Sequence, residues 1–210
     1  IIIIGSGIAG ISLGSILSKE RKVAIIEKEK QLSYHSTGRS FAFFIESYGN
    51  NAIIELTKIS KKFFYDNFNL FLKKKGVMFI GNNKQKTIVE DFYNEHKHKV
   101  KLELFSKNET IKLANCLNED YVNNSVIDIN ASEIDVNNLY EYYRKQYNKN
   151  DGLILTDFNI NLVEYKNNKW ILNNEISQSG IVFNLFKSIN DNDVTINSLN
   201  YSFDFPIRYN

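Results

Sequence analysis

The sequence predicts an α/β fold built on a parallel sheet, with a smaller α+β region inserted into it. Three observations predict it. The chain opens on an apolar run, Ile1-Ile2-Ile3-Ile4, that passes straight into the glycine-rich turn Gly5-Ser6-Gly7-Ile8-Ala9-Gly10. A second apolar run, Lys22-Val23-Ala24-Ile25-Ile26, closes on an acid, Glu27. Beyond it, short strand-like runs and helix-spaced stripes follow one another with no repeat and a single proline.

The first 27 residues carry the chemistry. An uninterrupted run of isoleucines suits a strand covered on both faces, as in a parallel sheet. The apolar segment from Ile8 to about Leu17 supplies the helix between the two strands. Gly5 permits a sharp turn off the strand, Gly7 leaves room for a pyrophosphate against the backbone, and Gly10 lets the helix lie close to the sheet. The helix N-terminus, at Ile8, Ala9 and Gly10, then offers N–H groups and a partial positive charge to phosphate. Glu27 lies 22 positions beyond Gly5, near the ~20 expected of an acid that accepts hydrogen bonds from ribose hydroxyls. A carboxylate there disfavours a 2′-phosphate. Strand, turn, helix, strand and acid together predict a dinucleotide site.

Composition narrows the partners. At 210 residues, with 43% hydrophobic and 24% charged, the chain is long enough for a sizeable core. A net charge of +2 gives no field to recruit nucleic acid. The single cysteine, Cys116, excludes an intramolecular disulfide and a cysteine-rich zinc site. It fits a reducing compartment, so a cytoplasmic location is expected. With three scattered histidines, no metal site is expected either. The first 17 residues are uncharged, yet no basic segment precedes them and Lys19-Glu20-Arg21-Lys22 ends them short of the ~20 a membrane span needs. No targeting or transmembrane segment is expected. The chain starts inside its first strand without a methionine, so a fragment is expected.

After the exposed Lys28-Glu29-Lys30-Gln31-Leu32 comes a hydroxyl-rich loop, Ser33-Tyr34-His35-Ser36-Thr37-Gly38-Arg39-Ser40. Thr37, Ser40 and backbone N–H groups suit phosphate oxygens, and Arg39 supplies a charge. A solvated loop with Ser36 or Ser40 as a helix N-cap accounts for the same residues.

Extended to GSGIAGISLG, the fingerprint resembles the FAD-binding variant with a further glycine, Gly14. With Glu27-Lys28, the HSTGRS run over His35–Ser40 and Tyr48-Gly49-Asn50, the chain is similar to the D-amino-acid oxidase/dehydrogenase superfamily, which includes glycine and sarcosine oxidases. The similarity continues more weakly through Gly76–Ile80, Ala131–Val136 and Trp170 to about Asn184. It covers the N-terminal part of a family member. The resemblance implies a Rossmann-like parallel-sheet FAD-binding domain, discontinuous over 1–50 and 135–184, with the substrate domain inserted over 51–134. It implies FAD as cofactor, held by Gly5, Gly7, Ile8, Ala9, Gly10, Glu27, Lys28, Thr37, Gly38, Arg39 and Ser40, with the backbone of Ile160 passing the adenine. The implied reaction is oxidation of the C–N bond of a small amino acid or related amine, by hydride transfer to flavin and hydrolysis of the imine. Substrate-binding residues are expected in the C-terminal part, so no catalytic residue is assigned, and the electron acceptor is open. A polyol-phosphate dehydrogenase of the same architecture, or a non-catalytic nucleotide-binding remnant, are the alternatives.

The remaining elements follow from spacing. Ile53, Leu56, Phe63, Phe64, Phe68 and Phe71 make a helical stripe over Asn51–Lys75, with lysines around it and Gly76 as C-cap. The expected role is a packed helix with a solvated face; a basic amphipathic helix on a membrane surface is the alternative. A strand over Val77–Ile80 and a helix through Ile88, Val89 and Phe92 to about Lys97 come next, with His96 and His98 expected at the surface. A strand at Leu102–Phe105 leads into Ser106-Lys107-Asn108-Glu109, a capping box opening a helix through Leu117 that puts Cys116 in the core. Tyr121–Ile129 reads as a strand. Val136, Leu139, Tyr140, Tyr143 and Tyr147 stripe a helix capped by Asp135 and ended by Asn150-Asp151-Gly152, its tyrosines expected in the core. Strands at Leu153–Thr156, Asn159–Tyr165 and Lys169–Leu172 complete the reading, the last two joined at Lys166-Asn167-Asn168. Ile181–Asn184 reads as a further buried strand, and 185–210 as an atypical tail outside the resemblance.

Overall fold

In a computed structural model, residues 1–166 and 169–173 are described. The opening isoleucines form β1 (Ile2–Ile4), the glycine turn leads into α1 (Ile8–Leu17), and the second apolar run forms β2 (Ala24–Ile26). Then follow β3 (Phe43–Phe44), α2 (Asn51–Asp66), α3 (Phe68–Phe71), β4 (Leu72–Lys74), β5 (Val77–Gly81) and α4 (Lys86–His96). After these come β6 (Leu102–Ser106), α5 (Lys107–Leu113), β7 (Asn124–Asp128), β8 (Ser132–Ile134) and α6 (Val136–Lys149). The described part closes with β9 (Leu153–Leu155), β10 (Leu162–Lys166) and β11 (Lys169–Asn173). The chain divides into two units, one of Ile1–Ser40 with Asn137 onward, the other Phe41–Val136.

The first unit carries the parallel sheet, in the order β1-β2-β9, with Ile3 opposite Ile25 and Ile25 opposite Ile154. Its core packs Ile3, Ile11, Val23 and Ile25 against Tyr140 and Tyr147 of α6. The expected tyrosine stripe is therefore core, and each buried hydroxyl finds a carbonyl, Ser6 for Tyr140 and Val23 and Leu153 for Tyr147. The antiparallel pair β10–β11 belongs to the same unit. Ile160 lies before β10 rather than within it. The residues at 167–168, the strand expected at Ile181–Asn184 and the tail at 185–210 lie outside the described residues.

The second unit is antiparallel, with sheets ordered β3-β8-β4 and β5-β7-β6. Helix α4 packs on the latter through Val89, Leu102 and Val126. Asp128, 1% exposed, accepts from the Ser47 hydroxyl at 2.7 Å and from the Asn130 and Ala131 N–H groups.

Several expectations for this unit are corrected. The helix expected over Asn51–Lys75 ends at Asp66, where the Asn67 amide donates to the Phe63 carbonyl at 2.8 Å and takes an acceptor of the last turn. Phe71 and Leu72, consecutive and both buried, then suit a strand entry better than a helix face, and Gly76 (φ +72°) lies in the turn between β4 and β5 instead of capping α2. Along α2 only Ile54 is fully buried, while Leu56 and Ile59 stand exposed. His96 is buried, one turn beyond Phe92 on the inner face of α4, with the two rings 4.9 Å apart. Cys116 is exposed, because α5 stops at Leu113 and the chain turns there, with the Leu117 N–H on the Ala114 carbonyl.

Candidate functional site

The turn between β1 and α1 is held from three sides, all within the first unit. Gly5 adopts φ +97°, a conformation costly to any residue with a Cβ, and its N–H donates to the Ile26 carbonyl at 2.7 Å. A methyl at Gly10 would overlap the Gly5 carbonyl oxygen, so the helix can start this close to the strand only with glycine there. At Gly14 a methyl would press on Ile25 Cδ1 and the Tyr147 ring. The extra glycine of the fingerprint therefore has a packing reason of its own.

Helix α1 has no cap of its own. Gly7 occupies the N-cap position without a side chain, and the cap comes from the loop, where Thr37 Oγ1 accepts from the Ile8 N–H at 3.0 Å. The first turn of a helix leaves its N–H groups without intrahelical partners. With Ile8 satisfied, Ala9 and Gly10 supply the remaining donors. No acidic side chain lies in that turn to compete with an outside anion for the helix dipole.

Glu27 sits across the turn, 7% exposed. Its Oε2 accepts from the Ser6 N–H at 2.9 Å and the Ser6 hydroxyl at 2.6 Å, and its Oε1 from the Glu29 N–H at 3.0 Å. Burial alone would raise its carboxyl pKa, but these hydrogen bonds outweigh it and hold the value below the ordinary one. An ionised acceptor, fixed by its hydrogen bonds, therefore stands at the end of β2.

The hydroxyl-rich loop folds on itself through Gly38 N–H to the Ser33 carbonyl at 2.7 Å and Arg39 N–H to the His35 carbonyl at 3.1 Å. Gly38 meets that Ser33 carbonyl where a Cβ would stand. His35 Nε2 lies 2.7 Å from Glu29 Oε1, and the Arg39 guanidinium stacks 4.6 Å over the Tyr34 ring. The structure thus brings Gly5, Gly7, Ile8, Ala9, Gly10, Glu27 and Thr37 to one turn. Lys28, Gly38, Arg39 and Ser40 stand exposed on the adjoining surface. Phe158 N–H donates to the Glu27 carbonyl, so the segment leading to Ile160 leaves from the end of β2. No helix starts at Ser36 or Ser40, the next one, α2, being capped by Asn50, and the loop's capping residue is Thr37, on α1. Sequence reasoning missed Ser6, whose hydroxyl in the variable place between two glycines was the only signal.

The arrangement suits a dinucleotide: N–H donors with no acidic side chain in their own helical turn, a glycine cradle that a Cβ would fill, and an ionised acceptor beside it. Among the described residues no cluster of His, Cys, Asp or Glu could hold a metal ion, and no helix is long and apolar enough to cross a membrane.

Comparison with known proteins agrees with this geometry. Residues 1–188 match the model of the family described as FAD dependent oxidoreductase. The fold is similar to L-α-glycerophosphate oxidase from Mycoplasma pneumoniae, solved with FAD bound, at a TM-score of 0.73 and 14% identity over 86% of this chain and 50% of that one. It is similar to glycine oxidase from Geobacillus kaustophilus, at 0.72 and 13% identity over 83% of this chain and 51% of that one. L-proline dehydrogenase from P. horikoshii matches at 0.67 and 17% identity over 83% and 48% of the two chains. The chain spans about half the length of these proteins. It belongs to the FAD-dependent oxidoreductase family.

Proposed function

Starting from that membership, we propose that the first unit holds FAD and that the protein oxidises the C–N bond of a small amino acid or related amine. The observation that carries the reading is the convergence of Glu27, Thr37 and the start of α1 on one glycine turn. The N–H groups of Gly7, Ala9 and Gly10 would bind the pyrophosphate and Glu27 the ribose hydroxyls. Lys28, Thr37, Gly38, Arg39 and Ser40 would line its flank, and the backbone at Ile160 would border the adenine. When bound, the flavin supplies an acceptor for the hydride that the amine carbon loses. The chain's own residues bind and orient it and exclude water from the turn. The domain assignment follows: 1–50 and 135–184 for FAD, 51–134 for substrate. A cytoplasmic setting is proposed from the single cysteine.

Similarity to glycine oxidase and L-proline dehydrogenase, together with the HSTGRS loop, supports an amino-acid substrate. The glycerophosphate oxidase favours a second reading, a polyol phosphate. Anaerobic mixing of the FAD-loaded protein with glycine, sarcosine or a D-amino acid, and separately with glycerol 3-phosphate, distinguishes them. Bleaching of the flavin by an amine is the expected result; bleaching by glycerol 3-phosphate alone transfers the assignment to the second reading. A flavin retained but reduced by neither marks a nucleotide-binding remnant.

A further inference from the structure

Sequence reasoning gives roles to the glycines and to Glu27, passes over Ser6, and reads Tyr140 as core. The structure gives Ser6 and Tyr140 a shared role. Ser6 is fully buried, yet each of its polar groups is engaged. Its N–H and hydroxyl both donate to Glu27 Oε2, its Oγ accepts from the Ser33 N–H at 3.3 Å, and its carbonyl accepts from the Tyr140 hydroxyl at 2.9 Å. The glycine turn, the end of β2, the start of the hydroxyl-rich loop and helix α6 all meet at this one residue.

Two consequences follow. Two donors from Ser6 on Oε2 and one from Glu29 on Oε1, with the Lys28 N–H also acting on the carboxylate, fix Glu27 in one orientation. The second concerns the peptide between Ser6 and Gly7. A trans peptide is planar, so its N–H points opposite to its C=O. Tyr140 holds the Ser6 carbonyl toward the core it belongs to, and thereby turns the Gly7 N–H away from that core.

Resting on the FAD reading above, we propose that Ser6 and Tyr140 are positioning residues of the dinucleotide site. Ser6 fixes Glu27 as the acceptor for the ribose hydroxyls. Tyr140 fixes the Ser6–Gly7 peptide as a donor to the pyrophosphate. Neither touches the ligand.

The test is calorimetric titration of the full chain with ADP, 2′,3′-dideoxy-ADP and adenosine, with a thermal melt of each variant. Wild type should prefer ADP to the dideoxy compound by about tenfold, as for a hydrogen bond to a charged group. In Ser6→Ala that ratio should fall toward unity. In Tyr140→Phe the ratio should persist, while ADP weakens several-fold and adenosine, which lacks the pyrophosphate, does not. A uniform loss for all three ligands, tracking a lowered Tm, overturns the proposal. Should Ser6→Ala fail to fold, Tyr140→Phe, which removes one oxygen atom, carries the test through its ADP-against-adenosine split. Wild type that binds neither FAD nor ADP overturns the FAD reading and this inference with it. Wild type that binds, with both variants unchanged, overturns this inference alone.

Discussion

Tyr147 shows how single residues set the first unit. Its ring packs where Gly14 leaves room, and its hydroxyl lies 2.7 Å from the Val23 carbonyl oxygen and 2.8 Å from that of Leu153, joining the segments that enter β2 and β9. Burial pushes the phenol up to about 12, so it is a donor at neutral pH. Tyr147→Phe removes the shared donor, while the Val23 carbonyl keeps the Leu153 N–H at 3.3 Å, and should cost about 0.5–1.5 kcal/mol in a urea melt; an unchanged midpoint would mean that water replaces the hydroxyl. Gly10→Ala forces a methyl against the Gly5 carbonyl and should destabilise by ~1–3 kcal/mol, the usual cost of overpacking. Glu27 gives a pH dependence with a definite sign. Its folded carboxyl lies below its unfolded value, so the stability it contributes is present at neutral pH and is lost as pH falls through the folded value. Wild type should therefore lose more stability than Glu27→Gln between neutral and acid solution. Equal losses in paired denaturant melts would contradict the hydrogen-bonded carboxylate seen here.

At the scale of elements, caps separate what was legible from what was not. The capping box at Ser106 and Glu109 reads directly from its spacing and forms as expected, with the Glu109 carboxylate accepting from the Ser106 N–H at 2.8 Å. The cap of α1 could not be read that way, because Thr37 reaches it from 29 positions away. Thr37→Val keeps the shape, removes the acceptor, and should cost roughly 1 kcal/mol, with weaker FAD binding; a melt and a flavin titration check both. The α2 expectation failed for a related reason. Periodicity continued past Asp66, and only the Asn67 side chain and the pairing of Leu72–Lys74 with β8 decide where the helix gives way. Periodicity also cannot tell which stripe finds a partner, so His96 went inward and Leu56 outward.

For the whole molecule, the parallel unit was legible because local signals and tertiary structure agree there. An all-isoleucine strand with Ile3 buried and Ile2 and Ile4 half-buried, a turn that only glycine fits and a second strand ending in an acid leave few alternatives. The antiparallel unit was legible as strands and helices but not in its pairing: nothing local says that β8 lies between β3 and β4. The substrate is less legible still, since the chain spans about half the length of the proteins it resembles and the first 188 residues match the family as a whole. What the described residues support most strongly is a place for FAD. The most direct test is the visible spectrum of the full chain after incubation with FAD and gel filtration, beside the Gly10→Ala variant. The account predicts flavin bands eluting with the wild-type protein and lost from the variant. A folded wild type that elutes colourless would contradict it.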